Sequence, residues 1–520
     1  MNTAQLLDSL NEPQQHAVTA EADENVVVLA GAGSGKTRVL AHRIAWLLFT
    51  EQARSPNILA VTFTNKAARE MQTRITQLLN ESAQGLSPNG MWVGTFHGLA
   101  HRLLRIHHEQ ARLAQNFQVL DTGDQDRLLK QILKRLELDE KVWNLKSVKS
   151  FISQKKERGI RAQSTDASAI DSKTGYQRII ENIWSQLPKE FQRLDKSKKH
   201  AAIQKIINQL NLNEWIWTPE SVNASMNRYL NAQDAHTFSP EPGIWQQRMD
   251  DIYLTYETHC QQQNLVDFSE LLLRSYELWR DNPALLEQYQ QRFRYVLVDE
   301  FQDINDIQYA WLRMLSHDKS AFFMVGDDDQ SIYSFRGAKI EYIQSANQDF
   351  PNSKLIRLEQ NYRSSKMILA TANALISHNQ QRLGKNLWTQ RLEGDPVYLY
   401  VAHNEKDEAE FIVQKIQDWT ESLQEVAILY RTSAQSQQFE EILLQKSIPY
   451  RIHGGLRFYE RAEVKDSLAY LRLAYNYQDD GAFERIINTP KRGIGERSLE
   501  IIRLKRVNMV YHYGRQRRNY

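Results

Sequence analysis

The sequence predicts an α/β protein built on a doubly wound parallel sheet, and three apolar runs carry that prediction. They read VVVL at 26–29, YVLV at 295–298 and AFFMV at 321–325. Each has the length and composition of a buried strand, and each ends in glycines, acids or amides rather than in ordinary turn residues. Strands of a doubly wound sheet bring such ends together along one edge, which is where ligands bind.

The first run leads into AGAGSGKT at 30–37 and then into Val39, Leu40, Ile44, Leu47 and Leu48 at helical spacing. A strand that breaks into glycines and then a helix aims backbone N–H groups at one point, backed by the positive end of the helix dipole. Polyphosphate fits there. Residues Ala30, Gly31, Ala32, Gly33, Ser34 and Gly35 form the predicted loop, Lys36 reaches the β and γ phosphates, and the Thr37 hydroxyl takes one position on Mg²⁺. The strict pattern begins with glycine where this chain has Ala30. Three glycines still give the loop its freedom, so the change is read as tolerated.

The second run ends in Asp299 and Glu300 and continues FQD to Asp303. Beside a phosphate loop, Asp299 is placed to hold Mg²⁺ and Glu300 to orient or deprotonate an attacking water. The residues therefore predict a nucleotide hydrolase. The third run leads into GDDDQSIYSFRG, where Gln330 is a candidate hydrogen-bond partner for the γ-phosphate or the water.

Two further stretches, VTFTNKAAREM at 61–71 and VGTFHGLAHRLLR at 93–105, repeat the strand-to-helix form. Threonine hydroxyls and backbone N–H groups suit phosphate contacts, and exposed aromatic faces suit unstacked bases. The candidate single-strand surface is Phe63, Thr64, Asn65, His97, Tyr333, Phe335 and Arg336. His97, His101, His107 and His108 have no cysteine or carboxylate at metal spacing, and are read as ordinary helix residues.

Composition bounds the rest. A chain of 520 residues with 41% hydrophobic content is globular, with about three or four domains expected. Cys260 is the one cysteine, which leaves no intramolecular disulfide. No apolar run is long enough to span a bilayer, and the N-terminal residues lack the pattern of a secretion signal. A cytoplasmic location and no membrane partner are expected. The net charge of +2 confines any nucleic-acid site to a local groove.

With these residues in view, the chain resembles the UvrD/Rep family of superfamily 1 DNA helicases. LNEPQQHAV at 10–18 resembles the family's adenine-reading Q motif, with Gln14 at the glutamine position. AGAGSGKTR, TFTNKAAREM, GTFHGLAHRLLR, DFSELLLR (267–274), VLVDEFQD, VGDDDQSIYSFRGA and LEQNYRSS (358–365) follow in family order. The resemblance implies that Arg363 meets the γ-phosphate, and that Tyr362 and Arg38 flank the adenine. It also implies RecA-like P-loop NTPase domains. Subdomain 1A is expected from 1–100 and 265–357, helical 1B from 101–264 with an extra insertion near 162–250, part of 2A from 358–455, and the start of 2B from 456–503. Trp184, Trp215, Trp217 and Trp245 could seed an extra core in the insertion, and KEFQRLDKSKKH at 189–200 is locally basic.

The implied function is ATP-dependent 3′–5′ translocation on single-stranded DNA and duplex separation, in repair or replication. ATP would bind between 1A and 2A, with Mg²⁺ required. The expected partners are single-stranded DNA, single-strand/duplex junctions and repair or replication proteins. A small-molecule P-loop kinase would share the phosphate loop but has no use for TFTNKAA, GTFHG or the aromatics. A helicase–nuclease fusion would need a further domain. The family likeness is expected to stop at residue 503, leaving an atypical Arg- and Tyr-rich tail at 504–520. On that reading the chain is a C-terminally truncated fragment lacking motifs V and VI, which binds nucleotide and DNA, hydrolyses slowly and unwinds no duplex.

Overall fold

The computed structural model describes residues 3–81, 86–140, 142–162, 242–350, 352–379, 382–453, 462–475, 479–495 and 498. Its strands among these residues are β1 (Val26–Ala30), β2 (Ile58–Thr62), β3 (Trp92–Thr95), β4 (Gln118–Val119), β5 (Leu265–Val266), β6 (Tyr295–Val298), β7 (Ala321–Gly326) and β8 (Lys354–Leu358). Six of them form one sheet in the order β3-β2-β6-β7-β1-β8, and every pairing within it is parallel. The apolar runs at 26–29, 295–298 and 321–325 become its adjacent central strands.

Alternate side chains along each strand feed two separate cores. Val26, Val28, Ile58, Ala60, Leu297 and Val325 pack beneath the helices Lys36–Phe49 and Asn65–Asn80. Val27, Leu29, Val61, Val298 and Met324 face the opposite way, onto Phe96–Ile106, Phe268–Asp281 and Asp306–Met314. Both faces are therefore covered, which is why these strands are apolar throughout instead of alternating with polar residues.

The helical segment between β3 and β6 has a third core, in which Leu129, Ile132, Leu133, Val148, Ile152, Ile252, Tyr253 and Tyr256 come together. Its helices are Thr122–Arg135, Leu145–Glu157 and Pro242–Gln262. β4 and β5 pair in parallel where the chain enters and leaves this segment. Buried charge then fastens it to the sheet domain. Lys156 Nζ lies 2.8 Å from Asp267 and 2.9 Å from Glu270, and Arg161 reaches Glu257 at 2.7 Å, Glu270 at 2.7 Å and Glu277 at 2.5 Å. Asp267 also caps the helix Phe268–Asp281 through its bond from the Glu270 N–H.

Trp245 stacks on Trp143 of this third core, with ring centroids 6.2 Å apart. Trp184, Trp215, Trp217 and the basic run at 189–200 lie outside the described residues, as does nearly all of the expected 162–250 insertion.

The chain divides into two compact units, Met1–Pro396 and Val397–Tyr520. In the second, helices Glu405–Gln417 and Ser436–Gln445 share a core of Ala409, Val413, Ile416, Phe439, Ile442 and Leu443. Helices Ala462–Tyr475 and Asp480–Ile486 meet at Ala469, Ala482 and Ile486. The tail 504–520 lies outside the described residues.

Candidate nucleotide and nucleic-acid site

β1 ends at Ala30, and the loop that follows turns through Gly33 (φ 69°) and Gly35 (φ 88°) into the helix beginning at Lys36. Left-handed backbone at both positions favours glycine. The loop is gripped by its carbonyls. Gln14 Nε2 donates to Ser34 O at 2.8 Å, Asn361 Nδ2 to Ala32 O at 2.5 Å, and the Tyr362 N–H to Gly33 O at 3.0 Å. The Ser34 hydroxyl closes the turn onto Gly31 O at 2.7 Å. Gln14 and Asn361 are both buried. Gln14 is itself held by reciprocal bonds with Asn11 at the start of its helix.

The packing explains the glycine at 33 a second time. A Cβ there would lie 2.7 Å from Asn361 Nδ2 and 2.8 Å from Arg363 Cβ. Residues 361–363 therefore sit directly on the loop. Asn361 Oδ1 accepts from the Arg363 and Ser364 N–H groups at 2.8 and 2.7 Å, which sets the turn that carries Arg363. Tyr362 is 40% exposed, and its hydroxyl donates to Gln360 Oε1 at 3.0 Å. Burial raises the Tyr362 hydroxyl above its ordinary value, opposed by the nearby Arg38.

Lys36 Nζ meets Glu300 Oε2 at 3.1 Å. Glu300 is placed by an abrupt turn at the end of β6, with φ 51° and ψ 47°, a left-handed backbone uncommon for a residue with a side chain. Asp299 is buried beside it, and its Oδ1 accepts from the Glu300 N–H at 3.0 Å. Burial pushes Asp299 up to about 7, reinforced by the Glu300 charge and opposed by Lys36. Asp303 is pushed up to about 7 by the same combination, and its Oδ1 is buried with no hydrogen-bond partner among the described residues. Three carboxylates thus face one ammonium. An all-oxygen set of donors of this kind suits a hard divalent cation.

Gln302, which the sequence reading passed over, joins the strand ends. Its Nε2 donates to Glu300 Oε2 at 2.9 Å, and its Oε1 accepts from the Asp327 N–H at 2.8 Å. Gln330 Nε2 donates to Asp327 Oδ2. Gln330 is thus held next to the Lys36–Glu300 pair's supporting amide.

The candidate nucleic-acid residues form a cluster at the ends of β2 and β7. Phe63 and Tyr333 lie 4.8 Å apart between ring centroids, and Tyr333 and Phe335 5.9 Å apart. The Arg336 guanidinium lies 5.3 Å from the Tyr333 ring and 5.5 Å from that of Phe335, and Phe335 is 67% exposed. Thr64 caps its helix by accepting from the Ala67 N–H at 3.1 Å. Asn65 Oδ1 accepts from the Thr95 hydroxyl at 3.5 Å. His97 instead turns onto Phe268, 5.7 Å away, and burial pushes its ring down to about 4. It is neutral at pH 7 and offers no charge to a phosphate.

A parallel sheet with a glycine loop after its first strand, an acidic pair after a strand two places along the sheet and a lysine joining them defines a P-loop nucleotide-binding protein. The UvrD/REP helicase N-terminal domain profile matches residues 10–196 and 174–351, and the UvrD-like helicase C-terminal domain profile matches 356–512. The chain belongs to the UvrD/REP helicase family. It is 47% identical to DNA helicase II of Escherichia coli (strain K12) over 506 residues, 97% of this chain and 59% of the relative. It is also 38% identical over 502 residues to the ATP-dependent DNA helicase PcrA of Bacillus subtilis (strain 168), covering 96% of this chain and 57% of the relative. The chain spans just under three-fifths of the length of these curated relatives.

One expectation is corrected. The family likeness does not stop at residue 503, because the C-terminal domain match continues to 512 and takes in part of the basic tail. The expected stop at 503, one ground for the truncated-fragment reading, is thus not borne out.

Proposed function

We propose that this chain is an ATP-dependent 3′–5′ DNA helicase and single-stranded DNA translocase of the UvrD type, serving repair or replication in the cytoplasm. The observation that carries the reading is the Lys36–Glu300 pair, with buried Asp299 beside it, on the same sheet edge as the Phe63, Tyr333 and Phe335 cluster. A nucleotide site and an aromatic platform that share strand ends suit a motor in which hydrolysis moves a stacked strand. Among the described residues no helix is long and apolar enough to cross a membrane.

In this reading the loop 30–37 binds the phosphates, and Gln14, Arg38 and Tyr362 bind the base. Arg363 and Gln330 meet the γ-phosphate. Polyphosphate competes for Lys36 and so releases Glu300, which Gln302 still orients, to take a proton from the attacking water. Thr37 and Asp299 hold Mg²⁺, which supplies positive charge against the phosphate oxygens. Residues 1–100 and 265–357 serve as 1A, 101–264 as 1B, and 358–455 and 456–503 belong to 2A and 2B. DNA partners are single strands and junctions, with repair or replication proteins as recruiters.

The deciding measurement is an ATPase titration with and without single-stranded DNA. Stimulation by the strand is expected. ATP turnover indifferent to DNA but dependent on a small acceptor would favour a P-loop kinase and overturn the reading.

A further inference from the structure

The sequence GDDDQ carries three consecutive aspartates, and their carboxylates come within 4.8 Å of one another, close enough to hold a metal ion. The position between them is already taken. Lys385, from a stretch (RLGKNLW) with no recognisable motif, places its Nζ 2.7 Å from Asp327 Oδ1, 3.0 Å from Asp329 Oδ2 and in contact with Asp328 Oδ1. Lys385, Asp327 and Asp328 are buried. Arg382 adds a two-pronged bond to Asp329 at 2.7 and 2.8 Å, and the Leu383 N–H donates to Asp328 Oδ2 at 2.9 Å.

Only Asp327 is also wired to the nucleotide site. Its Oδ2 accepts from Gln330, its N–H donates to Gln302 Oε1, and Gln302 holds the Glu300 carboxylate that pairs with Lys36. Gly326 permits this approach, since a Cβ there would lie 2.8 Å from Gln302 Oε1. The same stretch reaches the phosphate loop. A Cβ on Gly31 would lie 2.1 Å from Leu387 Cδ2, and the Asn361 N–H donates to Trp388 O at 2.7 Å.

We propose that Lys385 is a positioning residue for ATP hydrolysis. Its ammonium fixes the Asp327 carboxylate, and through it the placement of Gln330 and Glu300. A buried carboxylate without its cation moves toward water or takes a proton. Either change frees the Gln330 amide and shifts Gln302. The inference rests on the site being an ATPase, and its test separates the two claims.

The experiment uses the 520-residue chain and compares wild type, Lys385→Met and the pair Lys385→Met/Asp328→Asn. The pair removes one carboxylate that touches Lys385 but not Gln330, so it restores charge balance without restoring the hold on Asp327. With Lys385→Met, kcat is expected to fall about 100-fold, the scale for a group displaced by about 1 Å, while KM for ATP stays within about threefold. The pair should recover thermal stability but not kcat. Hydrogen exchange should rise at 327–336 and 299–303 in both variants, with β1 unchanged. Recovery of kcat together with stability, or faster exchange confined to 382–388, would overturn the proposal. Wild-type chain without DNA-stimulated ATPase would sink the parent reading alone, and the exchange data would still decide whether Lys385 positions the site.

Discussion

Asn361→Ala tests whether the phosphate loop is held in its binding shape from outside. The side chain makes three hydrogen bonds, one to Ala32 O at 2.5 Å and two from the N–H groups of Arg363 and Ser364 at 2.8 and 2.7 Å. A buried hydrogen bond contributes about 1 kcal/mol net, so three contribute about 3 kcal/mol, or about 2 kcal/mol if water replaces one of them. If the loop must be reordered on binding, nucleotide affinity falls by that amount, about 30- to 150-fold in Kd. Asn361→Asp keeps both acceptor bonds but cannot donate to Ala32 O, and it sets a negative charge beside the phosphates. Its loss should match or exceed that of alanine. A titration with a fluorescent ADP analogue and Mg²⁺, run beside thermal melts, measures both effects. A Kd within about threefold of wild type in Asn361→Ala, with only the melting temperature lowered, would refute the reasoning.

Glu300→Gln should retain Mg-nucleotide binding and abolish hydrolysis, since the shape stays while the charge that pairs with Lys36 goes; turnover at the wild-type rate would remove Glu300 from the water-activating role. Replacing Phe63 or Phe335 by alanine should weaken single-strand binding by about 1–3 kcal/mol with ATP affinity unchanged, and unchanged DNA affinity with a lower melting temperature would make them packing residues. Asp299 sits at about 7 in the fold against an ordinary 3.8, so its protonated form is the one the empty site favours. Its contribution to stability is present at pH below 3.8 and is lost as pH rises through 7. Mg²⁺ requires the ionised form, so Mg²⁺ affinity, read by the same titration, should weaken by up to about tenfold per pH unit below 7. Asp299→Asn should flatten that slope; a slope equal to wild type would assign the titration to Asp303.

The parts of the site legible in the sequence are those made by short contiguous stretches. AGAGSGKT and YVLVDE each state a strand, its end and the chemistry placed there, and the structure sets them in one sheet with only β7 between them. The residues that hold those stretches in place were not legible. Asn361 meets Ala32 across 329 positions, and Lys385 meets Asp328 across 57. No periodicity records such pairings, and RLGKNLW reads as an ordinary polar loop. Gln302 was visible but silent, because VLVDEFQD fixes attention on its acids, while the amide acts only once β7 is alongside. The contact of the His97 ring with Phe268 was equally invisible, since only packing reveals it.

The charge cluster of Lys156, Arg161, Asp267 and Glu270 also governs how force can travel. Parting one buried partner from such a set costs about 3–5 kcal/mol, more than thermal motion supplies to one contact. The helices Leu145–Glu157 and Pro242–Gln262 and the sheet-packed helix Phe268–Asp281 must therefore turn as one stiff lever. Glu157, at the end of that lever, is pushed up to about 7 by burial and feels the charge of Arg336. A pull on the helical segment is thus delivered beside the Tyr333, Phe335 and Arg336 cluster with little give on the way.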